Sequence, residues 1–401
     1  MDDATALLVT VTGWDRPGLT SALCAEIARL GARILDMEQV TIRDRLTLGI
    51  LVSLGCEEET ALAALAARAR ELDVTVEFKT MASRRPCPDR ARHYVTLLGQ
   101  PLCAGAIAGI TGRIASCGAN IDRITRLSRY PIMSFELLVS CGDPATLRAE
   151  LAAEAALQHV DVAVQPAGLY RRAKRLICMD VDSTLVAGEV IELLAAHAGC
   201  AAQVAEITAR AMAGDLDFEP ALRERVALLE GLPVEAVDHV KEHLVLTPGA
   251  RTAVRTLKRL GYVLAIVSGG FTQITDDLKA RLGLDYAHAN TLEVVEGRLT
   301  GRLVGPIVDR RAKAASLERF AAAAGVPLSQ TVAVGDGAND LDMLATAGLG
   351  IAFNAKPVVR QAADAALSVP YLDAILFLLG ITREEIDAAD AAESGLSGPT
   401  H

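Results

Sequence analysis

The stretch Leu176-Ile177-Cys178-Met179-Asp180-Val181-Asp182-Ser183-Thr184 decides how this chain is read. Four consecutive apolar residues are the pattern of a short strand covered on both faces, as in a parallel sheet. The run ends in two carboxylates two positions apart. Two later runs repeat the design: Val263 to Val267 leads into Ser268-Gly269-Gly270, and Thr331 to Val334 leads into Gly335-Asp336-Gly337-Ala338-Asn339-Asp340. Ligands of open α/β sheets bind beyond the carboxyl ends of the strands, so the three loops are expected to build one site.

Aspartates gathered there would repel one another and raise each other's pKa unless a cation lay among them. A hard dication such as Mg²⁺ answers this, because it takes carboxylate, carbonyl and water oxygens. Two carboxylates at an irregular strand end can also divide the chemistry. Asp180, ionised beside the metal, is placed to attack phosphorus, while Asp182 keeps a raised pKa, protonates the leaving alkoxide and later takes a proton from water. A lone Asp pair is ordinarily turn chemistry or a helix cap. Here DxDxT, Ser-Gly-Gly and GDxxxD follow one another in order, each at a strand end, which favours catalysis.

The remaining sequence sets the frame. At 401 residues, two or three domains are expected. A net charge of −10 argues against a polyanion-binding surface, so a small substrate is preferred and no nucleic-acid partner is expected. The cysteines form no CxxC pair and have no histidine cluster beside them, which points away from zinc. No basic, apolar leader and no membrane-length run is visible, so a cytoplasmic protein with reduced thiols and no membrane partner is expected.

The first half reads as a duplication. In one ungapped register Gly18 falls on Gly105, Ile27 on Ile114, Gly31-Ala32 on Gly118-Ala119, Ile34 on Ile121 and Leu51-Val52-Ser53 on Leu138-Val139-Ser140. Each copy follows a βαββαβ order, a ferredoxin-like α+β sandwich, with Gly31 and Gly118 placed just past a helix end. The expected organisation is a first unit over 1–80, a linker over 81–92 and a second unit over 93–168. A doubly wound α/β domain follows over 169–390 with helices at about 189–230, and a disordered tail over 391–401.

At DxDxT, Ser268, Lys313 and Asp336 to Asp340 the chain resembles the haloacid dehalogenase superfamily. Within it, the strings MDVDSTLVAGEVIELLA, AMAGDLDFEPALRERVALLEGL, VSGGF, GLDYAHAN and VGDGANDLDML resemble the phosphoserine phosphatase family. The resemblance covers about Lys174 to Leu379. It implies a Mg²⁺-dependent phosphatase acting on O-phosphoserine, the last step of serine biosynthesis, with Asp180 as nucleophile and Asp182 as general acid and base. It further implies Asp180, the Asp182 carbonyl and Asp336 as metal ligands, braced by Asp340. Ser268, the Gly269 amide and Lys313 would hold phosphoryl oxygens, with Asn339 and Thr184 beside them. Glu189 and Arg225 would bind the substrate ammonium and carboxylate from a helical cap, and Met212 and Phe218 would form an apolar wall.

Several of these residues also have ordinary readings. A Glu beginning a helix complements the dipole, and Arg225 fits an exposed ion pair. Lys313 opens a mixed-charge helix where lysines are usually solvated. His243 and His288 are read as structural.

The repeats resemble ACT domains, which sense amino acids and pair across subunits. This implies a homodimer and an effector such as serine near Asp15, Gly18, Gly105 and Asn120. Gly-Trp-Asp-Arg-Pro-Gly at Gly13 to Gly18 fits the family's strand-to-helix turn, whereas the second copy lacks counterparts of Asp15 and Pro17. Gly18 and Gly105 fit a plain tight turn equally well. Two alternatives stay open: a phosphatase or phosphomutase for another small ester, and a catalytically silent amino-acid sensor.

Overall fold

The computed structural model describes residues 6–81, 92–168, 171, 173–213 and 216–396, the side chains of 212, 213 and 393–396 excepted. The first unit runs β1 (Ala6–Trp14), a helix Leu19–Arg29, β2 (Arg33–Ile42), β3 (Arg45–Ser53), a helix Glu58–Glu71 and β4 (Thr75–Met81). Its antiparallel sheet has the order β2-β3-β1-β4. Leu7, Val9 and Val11 alternate along β1 on the covered face and meet Leu19, Leu23 and Ile27, which recur at helical spacing.

The second copy consists of β5 (Arg92–Gly99), a helix Ala104–Ser116, β6 (Asn120–Ser128), β7 (Met133–Ser140), a helix Pro144–Gln158 and β8 (Asp161–Pro166). The first helix of each copy stops by one device. Gly31 and Gly118 adopt φ of 65° and 71°, and the next N–H reaches back to the carbonyl of Ile27 or Ile114. The motif needs a left-handed residue, and glycine supplies it without a Cβ penalty. The expected linker has its ends in β4 and β5; its residues 82–91 lie outside the described ones.

The α/β domain is built on β9 (Leu176–Met179), β10 (Val263–Phe271), β11 (Tyr286–Val295), β12 (Arg298–Val304), β13 (Thr331–Gly335), β14 (Gly350–Phe353) and β15 (Ala365–Leu367). β9 lies in the middle and pairs in parallel with β10 and β13. Its side chains divide between two cores. Leu176 and Cys178 pack with Ala265, Val267, Leu317 and Met343, whereas Ile177 and Met179 join Leu264, Ile266 and Leu349. This double burial is the physical reason for the unbroken apolar run. Between β9 and β10 the chain forms helices Val190–Ala198, Ala201–Ala213, Phe218–Ala227, Val234–His243 and Ala250–Arg259, so the helical stretch continues beyond 230.

The second ferredoxin-like unit and the α/β domain form one compact body, whereas the first ferredoxin-like unit forms another. A bridge between Ala163 and Ala365 continues the sheet as β12-β11-β10-β9-β13-β14-β15-β8-β5-β7-β6. Leu98, Leu127, Ile132 and Ala163 share the apolar core of the α/β domain. Arg148 binds Asp364 at 2.9 Å, and Gln165 Nε2 donates to the Leu378 carbonyl at 2.9 Å.

The disordered tail expected from 391 is corrected in part, because the last helix spans Arg383–Leu396. Thr382 and Glu385 cap it reciprocally, Ile386 is buried, and Asp390 pairs with Arg255 and Arg259. These anchors stabilise a small, polar sequence that would fray by itself. Residues 397–401 lie outside the described ones. Among the described residues no helix is long and apolar enough to cross a membrane.

Candidate active site

β9 delivers Asp180 to the end of the sheet, where its N–H donates to the Val334 carbonyl at 2.8 Å. The chain then leaves the ladder in a wide turn. Ser183 takes φ 56°, and the Val186 N–H closes on the Val181 carbonyl at 2.9 Å. This turn holds Asp182 at the sheet end as well. Its carboxylate accepts the Val190 N–H at 2.8 Å and the Ser268 hydroxyl at 3.0 Å. Val190 opens a helix, so its N–H has no partner within the helix and is free to donate. Ser268 in turn accepts the Gly270 N–H at 2.7 Å.

Lys313 comes from the first turn of the helix Arg310–Ala323, capped by Asp309. Its Nζ lies 2.7 Å from Asp180 Oδ1 and 2.8 Å from Asp340 Oδ1. The solvated reading of this lysine is excluded, since its side chain is 1% exposed. Asp340 Oδ2 accepts the Gly337 N–H at 3.0 Å, and Thr184 Oγ1 donates to Asp336 Oδ1 at 3.1 Å. A Cβ at Gly335 would stand 2.4 Å from Asp340 Cγ, so only glycine lets this carboxylate lie against the strand.

Burial pushes the Asp180 carboxyl well above the carboxylate range, the Asp340 charge adds to the shift, and Lys313 opposes it. Burial also raises Asp182, against the hydrogen bonds from Val190 and Ser268. Asp336 is pushed up to about 6 by burial and by Asp340. Burial alone would lower Lys313, but Asp180 and Asp340 outweigh it and hold the ammonium above the ordinary lysine value.

The donor set fits a hard dication. Carboxylate oxygens of Asp180, Asp336 and Asp340 lie within 4.8 Å of one another, a set of oxygen donors only, with Lys313 in contact with Asp180 and Asp340. Asp340 has both oxygens engaged by Lys313 and Gly337, the arrangement of a bracing residue. The Asp182 carboxylate is turned to Ser268 and Val190 and is not among the clustered carboxylates.

Of the substrate residues expected from the helical segment, Glu189 and Arg225 lie within electrostatic reach of Asp182, and Phe218 lies against the Ser-Gly-Gly loop. Glu189 is pushed up to about 7 by burial and by Asp182 and Asp336, with Arg225 opposing. Arg225 is lowered by burial and supported by Glu189 and Asp182. Its Nε donates to the Ala221 carbonyl at 3.3 Å. Phe218 lies against Gly269, whose Cβ, were it present, would be 3.2 Å from the ring. Asn339 sits on the turn Ala338–Asp340 with its amide oxygen beside Gly337. Met212 falls on the helix Ala201–Ala213, and its side chain lies outside the described residues.

Sequence reasoning gave no role to Asn290, although it sets the Ser-Gly-Gly loop. Buried on β11, it donates to the Gly269 carbonyl and accepts the Val308 N–H, both at 2.7 Å. β11 reads Tyr-Ala-His-Ala-Asn-Thr-Leu-Glu-Val-Val, so one more polar residue in it gave no local signal. His288 faces Ser316 Oγ at 2.7 Å, in keeping with a structural role.

The four regulatory positions behave differently from one another. Gly18 has φ 92° at the start of its helix, and Asp15, Gly18, Thr20 and Gln39 line a cavity of about 420 Å³. Gly105 lies within the first turn of the helix Ala104–Ser116, where Cys103 supplies the cap, so the tight-turn reading applies to Gly18 and is corrected for Gly105. Asn120, exposed at the start of β6, donates to Asp122 at 3.0 Å.

Comparison with known proteins agrees with this architecture. Residues 177–345 match the haloacid dehalogenase-like hydrolase family, and residues 5–79 and 91–165 each match an ACT domain family. A phosphoserine phosphatase of Streptomyces coelicolor is 56% identical over 99% of this chain and 98% of its own length. One from Mycobacterium tuberculosis is 53% identical over 98% and 97% of the two chains. The crystal structure of a probable phosphoserine phosphatase from Vibrio cholerae is 34% identical, covers 74% of this chain and 88% of its own, and superposes with a TM-score of 0.57. With full-length identity at this level, and with one hydrolase domain following two ACT units, the chain is an enzyme that belongs to the phosphoserine phosphatase family of haloacid dehalogenase-like hydrolases.

Proposed function

We propose that the chain hydrolyses O-phosphoserine to serine and phosphate with Mg²⁺, through an aspartyl-phosphate on Asp180. The observation that carries this reading is the buried contact of Asp180 with Lys313 beside the Asp182–Ser268 pair, at the ends of three neighbouring strands. Asp180 attacks phosphorus, the P–O bond to serine breaks, and Asp182 gives its proton to the departing serine oxygen. Asp182 then takes a proton from water, whose oxygen attacks phosphorus and frees the Asp180 carboxylate as inorganic phosphate leaves.

Asp180, the Asp182 carbonyl and Asp336 would hold Mg²⁺, which when bound neutralises charge on the phosphoryl oxygens. Ser268, the Gly269 N–H and Lys313 hold those oxygens in place, with Thr184 and Asn339 assisting beside them. Glu189 takes the substrate ammonium and Arg225 its carboxylate, while Phe218 closes the apolar side.

The ACT units bind an amino-acid effector such as serine near Asp15 and Gly18 of the first copy and Gly105 and Asn120 of the second, and pair the chain into a cytoplasmic homodimer. Support for pairing comes from β2, an edge strand exposed along its whole length with Ile34, Leu35, Met37, Val40 and Ile42 uncovered.

The decisive experiment is phosphate release from a panel of phosphoserine, a sugar phosphate and an aryl phosphate, with Mg²⁺ and with chelator. Metal-dependent turnover that favours phosphoserine is expected; equal turnover of all three removes the substrate assignment. Sedimentation and titration with free serine read the two ACT assignments.

A further inference from the structure

Three of the seven histidines of this chain, His197, His239 and His243, meet on one exposed patch of the helical segment. His239 and His243 stand one turn apart on the helix Val234–His243, with ring centroids 4.0 Å apart. Positions i and i+4 share a helix face, so both imidazoles and Glu242 project to one side. Ligand atoms of His239, Glu242 and His243 lie within 4.8 Å of one another. His197, from the last turn of the helix Val190–Ala198, approaches His239 edge to face at 4.9 Å. Together with Leu193, Ala196 and Val240 the three rings line a cavity of about 340 Å³.

Two further features point to a cation rather than a chance gathering. His243 Nδ1 lies 2.8 Å from the His239 carbonyl. A carbonyl only accepts, so Nδ1 carries the proton and Nε2 of the neutral ring keeps its lone pair. Metal-binding histidines are commonly oriented in this way, through the second ring nitrogen on a carbonyl. In addition, the helices Val190–Ala198 and Val234–His243 both end here, and helix carboxyl termini carry partial negative charge.

We propose that His239, Glu242 and His243, with His197 from the facing helix, form a site for a transition-metal dication of the zinc and copper class. The donor set of imidazoles and one carboxylate selects such ions over Mg²⁺, which prefers oxygen alone. The two sites therefore differ in chemistry as well as place. Bound metal ties together the ends of two helices, the first of which begins beside Glu189. The site does not depend on the phosphatase reading.

The test uses the full chain without an affinity tag, stripped with chelator and resupplied with excess Mg²⁺. Zn²⁺ titrated by calorimetry should fill one saturable site that Mg²⁺ does not displace. Cu²⁺ in its place should show nitrogen hyperfine splitting from imidazole in its paramagnetic resonance spectrum. His239→Ala, His243→Ala and His197→Ala should each weaken Zn²⁺ by about tenfold or more, whereas His288→Ala should not. All four positions lie outside the catalytic cluster, so turnover with Mg²⁺ reports the fold. Unchanged zinc affinity in His239→Ala and His243→Ala, or a copper spectrum with oxygen ligands only, overturns the site. Unchanged affinity in His197→Ala overturns the link between the helices.

Discussion

Lys313 Nζ lies 2.7 Å from Asp180 Oδ1, with both side chains almost wholly removed from solvent. The same ammonium holds Asp340, so one buried cation offsets two carboxylates. Lys313→Met would leave these facing each other in a poorly screened interior, where one takes a proton at neutral pH. A protonated Asp180 is no nucleophile, and the phosphoryl group also loses a positive partner. Steady-state assay should find kcat reduced by about 100-fold or more; near-normal turnover removes the role given to this lysine.

Asp180→Asn replaces the attacking carboxylate with an amide of almost the same shape. The variant should give native circular dichroism yet form no phospho-enzyme when quenched with labelled phosphoserine. Label retained on the variant protein would show that another residue accepts the phosphoryl group.

Glu189 gives a pH signature. With its carboxyl pushed up to about 7, it loses charge as pH falls through that value, and its hold on the substrate ammonium goes with it. KM for phosphoserine should therefore climb below about pH 7, and Glu189→Gln should flatten that climb while raising KM overall. For stability the direction is opposite. The folded state binds this proton more tightly than the unfolded chain, so the group's stabilising contribution is fullest below about pH 4 and is lost as pH rises through about 7. Without metal, Glu189→Gln should unfold at a higher temperature than wild type at pH 8 and at a similar one at pH 4.

Arg225→Ala separates substrate recognition from chemistry. KM for phosphoserine should increase far more than KM for an aryl phosphate, because only the first carries a carboxylate. Equal changes would detach Arg225 from the substrate.

Gly335→Ala tests a close approach that leaves no freedom. The added Cβ meets Asp340 Cγ at 2.4 Å, inside any tolerable contact, so the carboxylate must leave Lys313 or the strand must shift. A loss of about 1 to 3 kcal/mol in stability, read by denaturant unfolding, is expected together with weaker activity.

Much of the architecture was legible because it rests on local rules. The run Leu176 to Met179 is apolar at every position since β9 is covered on both faces, and Gly31 and Gly118 follow helix ends since each must turn left-handed. Asp180, Asp182, Ser268 and Asp336 could be placed at strand ends from the residues that flank them. The helix Arg383–Leu396 was not legible from about residue 391, because its anchors Arg255, Arg259 and the capping pair lie elsewhere in the chain or act only once the helix exists.

Local patterns were enough to give β9, β10 and β13, the duplicated βαββαβ order and the residue types at the catalytic loops, since side-chain period and turn chemistry operate over a few neighbouring residues. Long-range packing, by contrast, sets the burial of Lys313 against two aspartates, the hold of Asn290 on the Gly269 carbonyl, the continuation of the catalytic sheet into the second ACT unit through Ala163 and Ala365, and the approach of His197 to His239. Each of these joins residues distant in the chain, and their energies depend on desolvation and on distances of a few ångströms that no local pattern encodes.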